Sequence, residues 1–183
     1  MILPIVSFGS PILRKECRTV DFSYSDLNKL ITNMWETMYN ASGVGLAAPQ
    51  VNQQIKLFII DTKPFCEEED IQPCKRVFIN PEIIVEEGDE WEFNEGCLSI
   101  PNIREDILRK PNITIRYQDE NFKEFIETYN GITARVIQHE FDHVNGILFI
   151  DKISSLRKRM IKGKLNDIAK GKVSTSYRMK IFK

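Results

Sequence analysis

The stretch GITARVIQHEFDHVNG, residues 131–146, decides the fold. Apolar residues recur in it at helical spacing, and Asn145 with Gly146 forms a natural helix C-cap. His139 and His143 lie four residues apart, so they project from the same face of the predicted helix. The chain contains no other histidine. The pattern therefore predicts a helix that brings two imidazoles together.

Two further amphipathic patterns predict one helix before this stretch and one after it. Over residues 27–38 apolar side chains recur at helical spacing, and either Ser23 or Ser25 can cap the start of the helix. Residues 155–170 are apolar on one side and rich in Lys and Arg on the other. The apolar side of this last helix consists of Leu156, Met160, Ile161, Leu165 and Ile168.

Strands are expected between the first two helices, because short runs there are rich in Ile, Val and Phe. The predicted strands are residues 55–61, 77–80, 83–87, 114–118 and 122–128, the last two joined as a hairpin by a short polar turn. Residues 43–50, with two glycines and a proline, suit a loop. The order helix, strands, helix, strand, helix predicts an α+β fold in which antiparallel strands pack around the central histidine-bearing helix, flanked by an N-terminal and a C-terminal helix.

Length and composition fit one soluble domain, residues 1–183, with 42% hydrophobic and 28% charged residues. No secretory signal or apolar run long enough to span a membrane is visible, so we expect a cytoplasmic protein. The net charge of −1 is unevenly distributed: residues 152–183 carry 11 basic residues and one acid, and the rest of the chain is acidic. This distribution argues against wrapping of DNA, although the basic segment could touch RNA. A solvated surface is the commoner meaning of such a segment.

The two histidines frame a metal-binding pattern, because Glu140 follows His139 in an H-E-x-x-H arrangement. A catalytic metal normally takes three protein ligands and keeps one position for water. No Glu follows Glu140, so a third ligand is either Asp151 or Asp167 downstream or a residue upstream. Among upstream donors a thiolate binds such metals most strongly, and Cys97 stands out between Gly96 and a nearby proline.

Three segments, residues 43–50, 95–101 and 138–146, resemble the signature motifs of bacterial peptide deformylases and occur in the same order. The resemblance extends over nearly the whole chain. It implies that Cys97, His139 and His143 bind one divalent metal ion, Fe2+ in the cell, with Zn2+, Ni2+ or Co2+ able to replace it.

A metal with an open position lowers the pKa of its bound water from 15.7 to about 7, which makes a nucleophile available near neutral pH. Glu140 can accept the proton of that water and pass it to the leaving amine. The resemblance implies that the substrate is the N-formylmethionyl end of a nascent polypeptide and that formate is released. It also implies that the side-chain amide of Gln50 and the backbone N–H of Leu98 stabilise the oxyanion.

The same resemblance implies a set of residues around the substrate. Those expected at the methionine pocket are Val44, Gly45, Phe93, Ile132 and Val136, with Arg104 expected to meet the peptide further along. Because members of the family act on chains leaving the ribosome, the basic C-terminal helix could contact ribosomal RNA. Residues 63–76 are expected to be a family-variable insertion.

Two other functions are possible on the residues alone. A zinc aminopeptidase or endopeptidase would share the H-E-x-x-H pattern, but the absence of a downstream Glu or third His argues against it. A non-enzymatic protein with a structural metal would need a fourth ligand, which Cys66 or Cys74 would have to supply. We expect those two cysteines, and Cys17, to be ordinary thiols in a reducing compartment.

Overall fold

A computed structural model describes residues 1–66 and 72–182, so part of the expected insertion at 63–76 lies outside the described residues. The described residues form three α-helices, which are α1 (Leu27–Asn40), α2 (Gly131–Val144) and α3 (Ser155–Ala169). They also form nine strands, which are β1 (Ile5–Val6), β2 (Gly45–Ala47), β3 (Leu57–Asp61), β4 (Lys75–Glu87), β5 (Trp91–Cys97), β6 (Ile100–Arg109), β7 (Asn112–Gln118), β8 (Glu124–Asn130) and β9 (Met179–Lys180).

The main sheet has five antiparallel strands in the order β2-β3-β4-β7-β8. Helix α2 packs against β2, β3, β7 and β8, and ten of its fourteen residues are buried. Phe58 of β3 and Phe78 of β4 stack with ring centroids 4.7 Å apart within the same apolar cluster as Ile137 of α2. The expected α+β class, with antiparallel strands around a central helix, is confirmed.

A second layer is the antiparallel hairpin of β5 and β6, which the sequence patterns did not predict. Along β6, buried and exposed residues alternate over most of the strand, as in a half-buried strand. Two of its buried positions, however, are Glu105 and Arg109, so the apolar alternation that identifies a strand is interrupted. Helix α3 packs against β6 and buries Ile161, Leu165 and Ile168.

The two outer strands of the chain meet in a parallel pair, in which Ile5 of β1 lies opposite Met179 of β9. This pair is the exception to the antiparallel pattern of the other sheets. It brings the segment after α3 back beside the first residues of the described chain.

Several local predictions were wrong in detail. Residues 43–50 contain strand β2 and a 3-10 turn, Ala48–Val51, instead of a loop. The strands expected at 77–80 and 83–87 are one strand, β4. Its pairing with β7 is irregular around Pro81, so this proline, which has no N–H, does not interrupt a regular ladder of hydrogen bonds. Between α2 and α3 the chain forms a 3-10 turn, Phe149–Asp151, and not the expected strand.

The helix ends also differ from expectation. Helix α1 starts after Asp26, which has a left-handed φ of 61° and makes no side-chain cap bond, so neither Ser23 nor Ser25 caps it. In α3 the apolar side is narrower than predicted, because Leu156 and Met160 are exposed. Among the residues that the structure describes, no helix has both the length and the apolar character needed to cross a bilayer.

Gly146, which ends α2, is a point where the fold depends on glycine. Its φ is +73°, and a Cβ there would lie 2.8 Å from the Arg14 carbonyl carbon and oxygen.

Gly146→Ala should therefore lower the free energy of unfolding by about 2 kcal/mol or more, because the new Cβ strains the left-handed backbone and collides with Arg14. Gly163→Ala is the matched control, because Gly163 has no atom near its absent Cβ, and it should raise stability by about 0.5–1 kcal/mol. Urea unfolding measures both; equal effects at the two positions would refute this account.

Candidate active site

Helix α2 and the end of β5 bring together three side chains that could hold a metal ion. These are Cys97, His139 and His143, whose donor atoms all lie within 4.8 Å of one another. The Cys97 Sγ is 3.2 Å from the His143 Nε2. The two imidazoles share one face of α2, as the spacing of four predicts, and their centroids are 5.1 Å apart.

The chemistry of this donor set fits a divalent transition metal, because one thiolate and two imidazoles are preferred ligands of such ions. The Nδ1 of His139 faces the Glu95 Oε2 at 2.9 Å, which leaves its Nε2 available as a ligand. The Phe149 ring lies beside the His139 ring, with centroids 6.0 Å apart. Three oriented donors with space in front of them form an open site rather than a closed structural one.

Glu95 is the charged centre behind the donors. Its buried carboxylate accepts hydrogen bonds from Arg109 Nε at 2.7 Å, Arg109 Nη2 at 3.0 Å and Arg135 Nη1 at 3.0 Å. Arg109 continues to Asp142 at 2.7 Å. Burial alone would raise the pKa of Glu95, but hydrogen bonds from His139 and Arg109 hold the pKa of that carboxyl well below its usual range. Glu95 is therefore a permanent anion that orients His139.

Glu140 lies beside the donors and is only 4% exposed. Its Oε2 has no hydrogen-bond partner among the described residues. Burial raises the pKa of Glu140 to about 7. Gly45 of β2 makes this placement possible, because a Cβ there would lie 2.8 Å from both Cγ and Cδ of Glu140. The carboxylate is thus held unpaired at the edge of the site, where it can exchange a proton.

Gln50 and Leu98 flank Cys97. The Oε1 of Gln50 accepts a hydrogen bond from the Ala47 N–H at 2.8 Å, which turns the Nε2 donor towards the site. That Nε2 lies 3.5 Å from the Cys97 Sγ and 3.3 Å from the Ser99 Oγ. Leu98 follows Cys97 in the β5–β6 turn.

A cleft of about 600 Å³ opens in front of these groups. Of the residues predicted around the substrate, those that line it are Val44, Gly45, Phe93, Arg104 and Val136. Ile132 does not line it: this buried residue borders a different depression beside Cys74 and Tyr129. The Arg104 Nε donates to the Asn94 Oδ1 at 2.7 Å, at the rim.

Sequence patterns did not identify three parts of the cleft wall. One is Phe65, whose ring centroid lies 6.4 Å from that of Phe93. Another is the segment Ser174–Tyr177, which follows α3 in the chain and lines the cleft. Arg135 is 2% exposed, and its guanidinium lies 4.5 Å from the centre of the Trp91 ring. A charged residue on the apolar side of a predicted helix was the available signal for Arg135, since such a residue needs a buried partner.

Cys66 and Cys74 do not join the metal-binding group. The Cys66 Sγ donates to the Thr62 carbonyl at 3.5 Å, and the Cys74 N–H donates to the Thr62 Oγ1 at 2.9 Å. In the parts of the chain that the structure describes, the only cluster of suitable donors is the one at Cys97, His139 and His143. The fourth protein ligand that a closed structural site requires is therefore missing there.

The fold and this donor set define an α+β protein whose central helix carries two ligands of an open metal-binding group. Residues 2–159 match the sequence model of the polypeptide deformylase family. The peptide deformylase of Christiangramia forsetii is 54% identical over 98% of this chain and 96% of the relative, and that of Flavobacterium johnsoniae is 55% identical over the same shares. The chain belongs to the peptide deformylase family and is an enzyme of that family.

Solved structures agree with this assignment. A peptide deformylase from Legionella pneumophila is 37% identical, with a TM-score of 0.82 over 94% of this chain and 98% of that one. The peptide deformylase from Plasmodium falciparum is 35% identical, also with a TM-score of 0.82, over 91% and 95% of the two chains. The resemblance drawn from the three motifs is confirmed.

The Glu95 network predicts a double defect on mutation. Glu95→Ala removes the buried carboxylate of Arg135 and leaves Arg109 with Asp142 alone, so it should cost about 3–5 kcal/mol in stability. It should also weaken metal affinity about 10–100-fold, because His139 loses its orienting partner. Glu92→Ala, at an exposed position on the same strand, is the control and should change neither. Urea unfolding and metal competition titrations measure the two effects, and an unchanged metal affinity in a folded Glu95→Ala protein would contradict the orienting role.

Proposed function

We propose that this chain removes the formyl group from the N-terminal methionine of nascent polypeptides and releases formate. The observation that carries the proposal is the unpaired Glu140 carboxylate, which lies in the cleft beside the group formed by Cys97, His139 and His143. A buried base next to an open metal-binding group is suited to hydrolysis of an amide.

Cys97, His139 and His143 would hold one divalent cation, Fe2+ in the cell by our proposal, with Zn2+, Ni2+ or Co2+ able to replace it. A cation bound there supplies Lewis-acid chemistry and lowers the pKa of a coordinated water from 15.7 to about 7. Glu95, through His139 Nδ1, fixes the ring orientation that this binding needs.

Glu140 acts as the general base and then as the general acid. Its carboxylate accepts the proton of the attacking water and delivers it to the nitrogen of the methionine as the C–N bond to the formyl group breaks. The formyl carbon keeps the oxygen of the water and leaves as formate, and the methionine keeps a free amine. The pKa of about 7 that burial gives Glu140 suits both halves of this transfer.

Gln50 and Leu98 stabilise the negative charge that develops on the formyl oxygen. The Gln50 Nε2 is oriented in advance by the bond between its Oε1 and the Ala47 N–H, so it needs no reorganisation during the reaction. The Leu98 N–H is the second donor. Loss of one such donor typically costs about 10²–10³ in rate.

The cleft wall favours a methionine side chain followed by an extended peptide. Val44, Phe93 and Val136 provide an apolar surface, and Arg104 lies at the rim, where the peptide continues. Strand β2 has a partner, β3, on one side only among the described residues. An extended peptide can therefore pair with the backbone of Gly45, in the manner of an added strand.

The assay that tests the reaction is formate release from a formyl-methionyl tripeptide by protein purified without oxygen. Wild-type protein should release formate, and Glu140→Gln should be slower by about 10²–10⁴ with its metal content unchanged. Glu120→Gln, at an exposed position, is the matched control and should match wild type. A fully metallated wild-type protein that releases no formate would refute the proposed function, and cleavage of an unformylated tripeptide would favour a peptidase.

We further propose that the enzyme works in the cytoplasm and contacts the ribosome through α3. Lys162 and Lys164 are exposed on this helix, within the basic segment 152–183. Binding of such a segment to RNA depends strongly on salt, because it releases counterions.

Co-sedimentation with ribosomes tests this contact. Reversing two charges, Lys162→Glu with Lys164→Glu, should weaken binding about tenfold or more. The slope of log affinity against log salt concentration should also become less steep by about 2, as expected from the loss of two phosphate contacts. The control pair Lys15→Glu with Lys29→Glu changes two exposed lysines elsewhere and should have little effect. Binding that does not respond to salt, or that responds equally to both pairs, would exclude the contact.

A further inference from the structure

The turn between β5 and β6, which contains the proposed oxyanion donor Leu98, has an unusual geometry. Cys97 pairs with Ile100, so Leu98 and Ser99 are the two turn residues. Two-residue hairpin turns usually need a positive φ at their first central residue, because that geometry matches the twist of the strands. Neither Leu98 nor Ser99 has a positive φ. The backbone twist of this turn therefore does not match the twist of the two strands that it joins.

The strand after the turn is also irregular. Gly96 pairs with Arg104 and the next residue, Cys97, pairs with Ile100, so three residues of β6 lie opposite none of β5. Within this bulge Asn102 has a left-handed φ of 62°. A bulge and an unsuited turn in succession leave the Cys97–Ile100 pair as the one ladder pairing beside Leu98, separated from the rest of the hairpin.

Contacts from outside the hairpin hold this backbone instead. The Tyr177 hydroxyl donates to the Leu98 carbonyl at 2.8 Å, and the Phe8 N–H donates to the Ser99 carbonyl at 2.8 Å. The Asn102 Nδ2 approaches the Ser174 carbonyl at 3.4 Å. The segment after α3, residues 174–177, thus contacts both the turn and the bulge.

The β1–β9 pair fixes this segment in place. The Ile5 N–H donates to the Arg178 carbonyl at 2.9 Å, and the Ser7 N–H donates to the Lys180 carbonyl at 3.0 Å. Phe8, which holds the Ser99 carbonyl, follows directly after Ser7. The two contacts to the turn therefore come from residues next to one small sheet, Phe8 just after β1 and Tyr177 just before β9.

We propose that residues 174–180 are a positioning element of the active-site turn and that Tyr177 is its positioning residue, acting through Leu98. A turn changes type by rotating its central peptide group, which here joins Leu98 to Ser99. Holding the Leu98 carbonyl blocks that rotation and fixes one side of the Leu98 Cα. The preceding Cys97–Leu98 peptide group, which carries the Leu98 N–H, can then turn less freely. This role rests on the proposed function, in which that N–H stabilises the oxyanion.

The chemistry of Tyr177 suits the task. The side chain is half-buried against the apolar cluster that contains Ile5 and Met38, so its position is set by packing as well as by its hydrogen bond. Burial raises the pKa of Tyr177 to about 12, so the hydroxyl remains a donor throughout the neutral range.

Tyr177→Phe removes the hydroxyl and keeps the ring, so it tests the proposal directly. The kcat for formate release should fall about tenfold, less than the roughly 10²-fold or greater loss expected when an oxyanion donor is deleted. The KM should stay within about twofold, because the Met pocket is untouched. Amide hydrogen exchange of peptides covering residues 97–101 should become about fivefold faster, as expected from the loss of one hydrogen bond. The metal content should not change.

Tyr117→Phe is the matched control, because it removes a tyrosine hydroxyl that donates to Glu127 at 2.6 Å, remote from the turn. It should alter neither kcat nor the exchange of residues 97–101. Asn102→Gly is a second test that keeps the left-handed backbone available, and it should lower kcat about two- to threefold. If Tyr177→Phe lost its fold, Asn102→Gly would decide the question.

The outcomes separate this inference from the proposed function. A raised KM with unchanged kcat in Tyr177→Phe would mean that the segment binds the peptide and does not position the turn, which overturns the proposal. Faster exchange without a fall in kcat overturns it as well. If the wild-type protein released no formate, the proposed function would fail, while unchanged exchange in Tyr177→Phe would independently show that Tyr177 does not hold the turn.

Discussion

The buried carboxylate of Glu95 is the interaction on which the rest of the structure depends. It belongs to hairpin β5–β6, yet its hydrogen-bond donors are Arg109 on the same hairpin and Arg135 and His139 on α2. An anion that accepts from two guanidinium groups and an imidazole ties the second layer to the central helix. Without it the hairpin that carries Cys97 would keep only the Arg109–Asp142 pair as a charged link to the helix that carries the histidines.

The Glu95 link joins a regular part of the site, on α2, to an irregular part, on the hairpin. On the hairpin side of the donor group, the bulge at Asn102 and the turn at Leu98 follow Cys97 and are irregular, whereas α2 is not. The helix is regular and mostly buried, so His139 and His143 are fixed by ordinary helical geometry. The irregular part of the site is therefore the part that would meet the reacting carbonyl under the proposed function, and it is held by contacts from distant segments of the chain.

Much of this arrangement could be predicted from sequence because it obeys short-range rules. The spacing of the two histidines fixed their common face, and the end of α2 at Asn145-Gly146 follows from capping preferences. Hairpin β5–β6 could not be recognised, because Glu105 and Arg109 occupy buried positions whose partners, Arg157 and Glu95 with Asp142, are remote in sequence. The contact of residues 174–177 with the turn could not be predicted for the same reason: tertiary contacts, and no local pattern, bring Tyr177 to Leu98.

The position of β2 has a consequence for solubility. An unpaired strand edge is a template on which other chains can add, and natural proteins protect such edges from aggregation. Here the edge is only three residues long and all three are buried, with Gly45 pressed against Glu140. A folded sheet from another molecule cannot reach so short and recessed an edge, whereas a single extended chain end can. Under the proposed function, the β2 edge can thus remain open to a peptide end while it stays closed to another sheet.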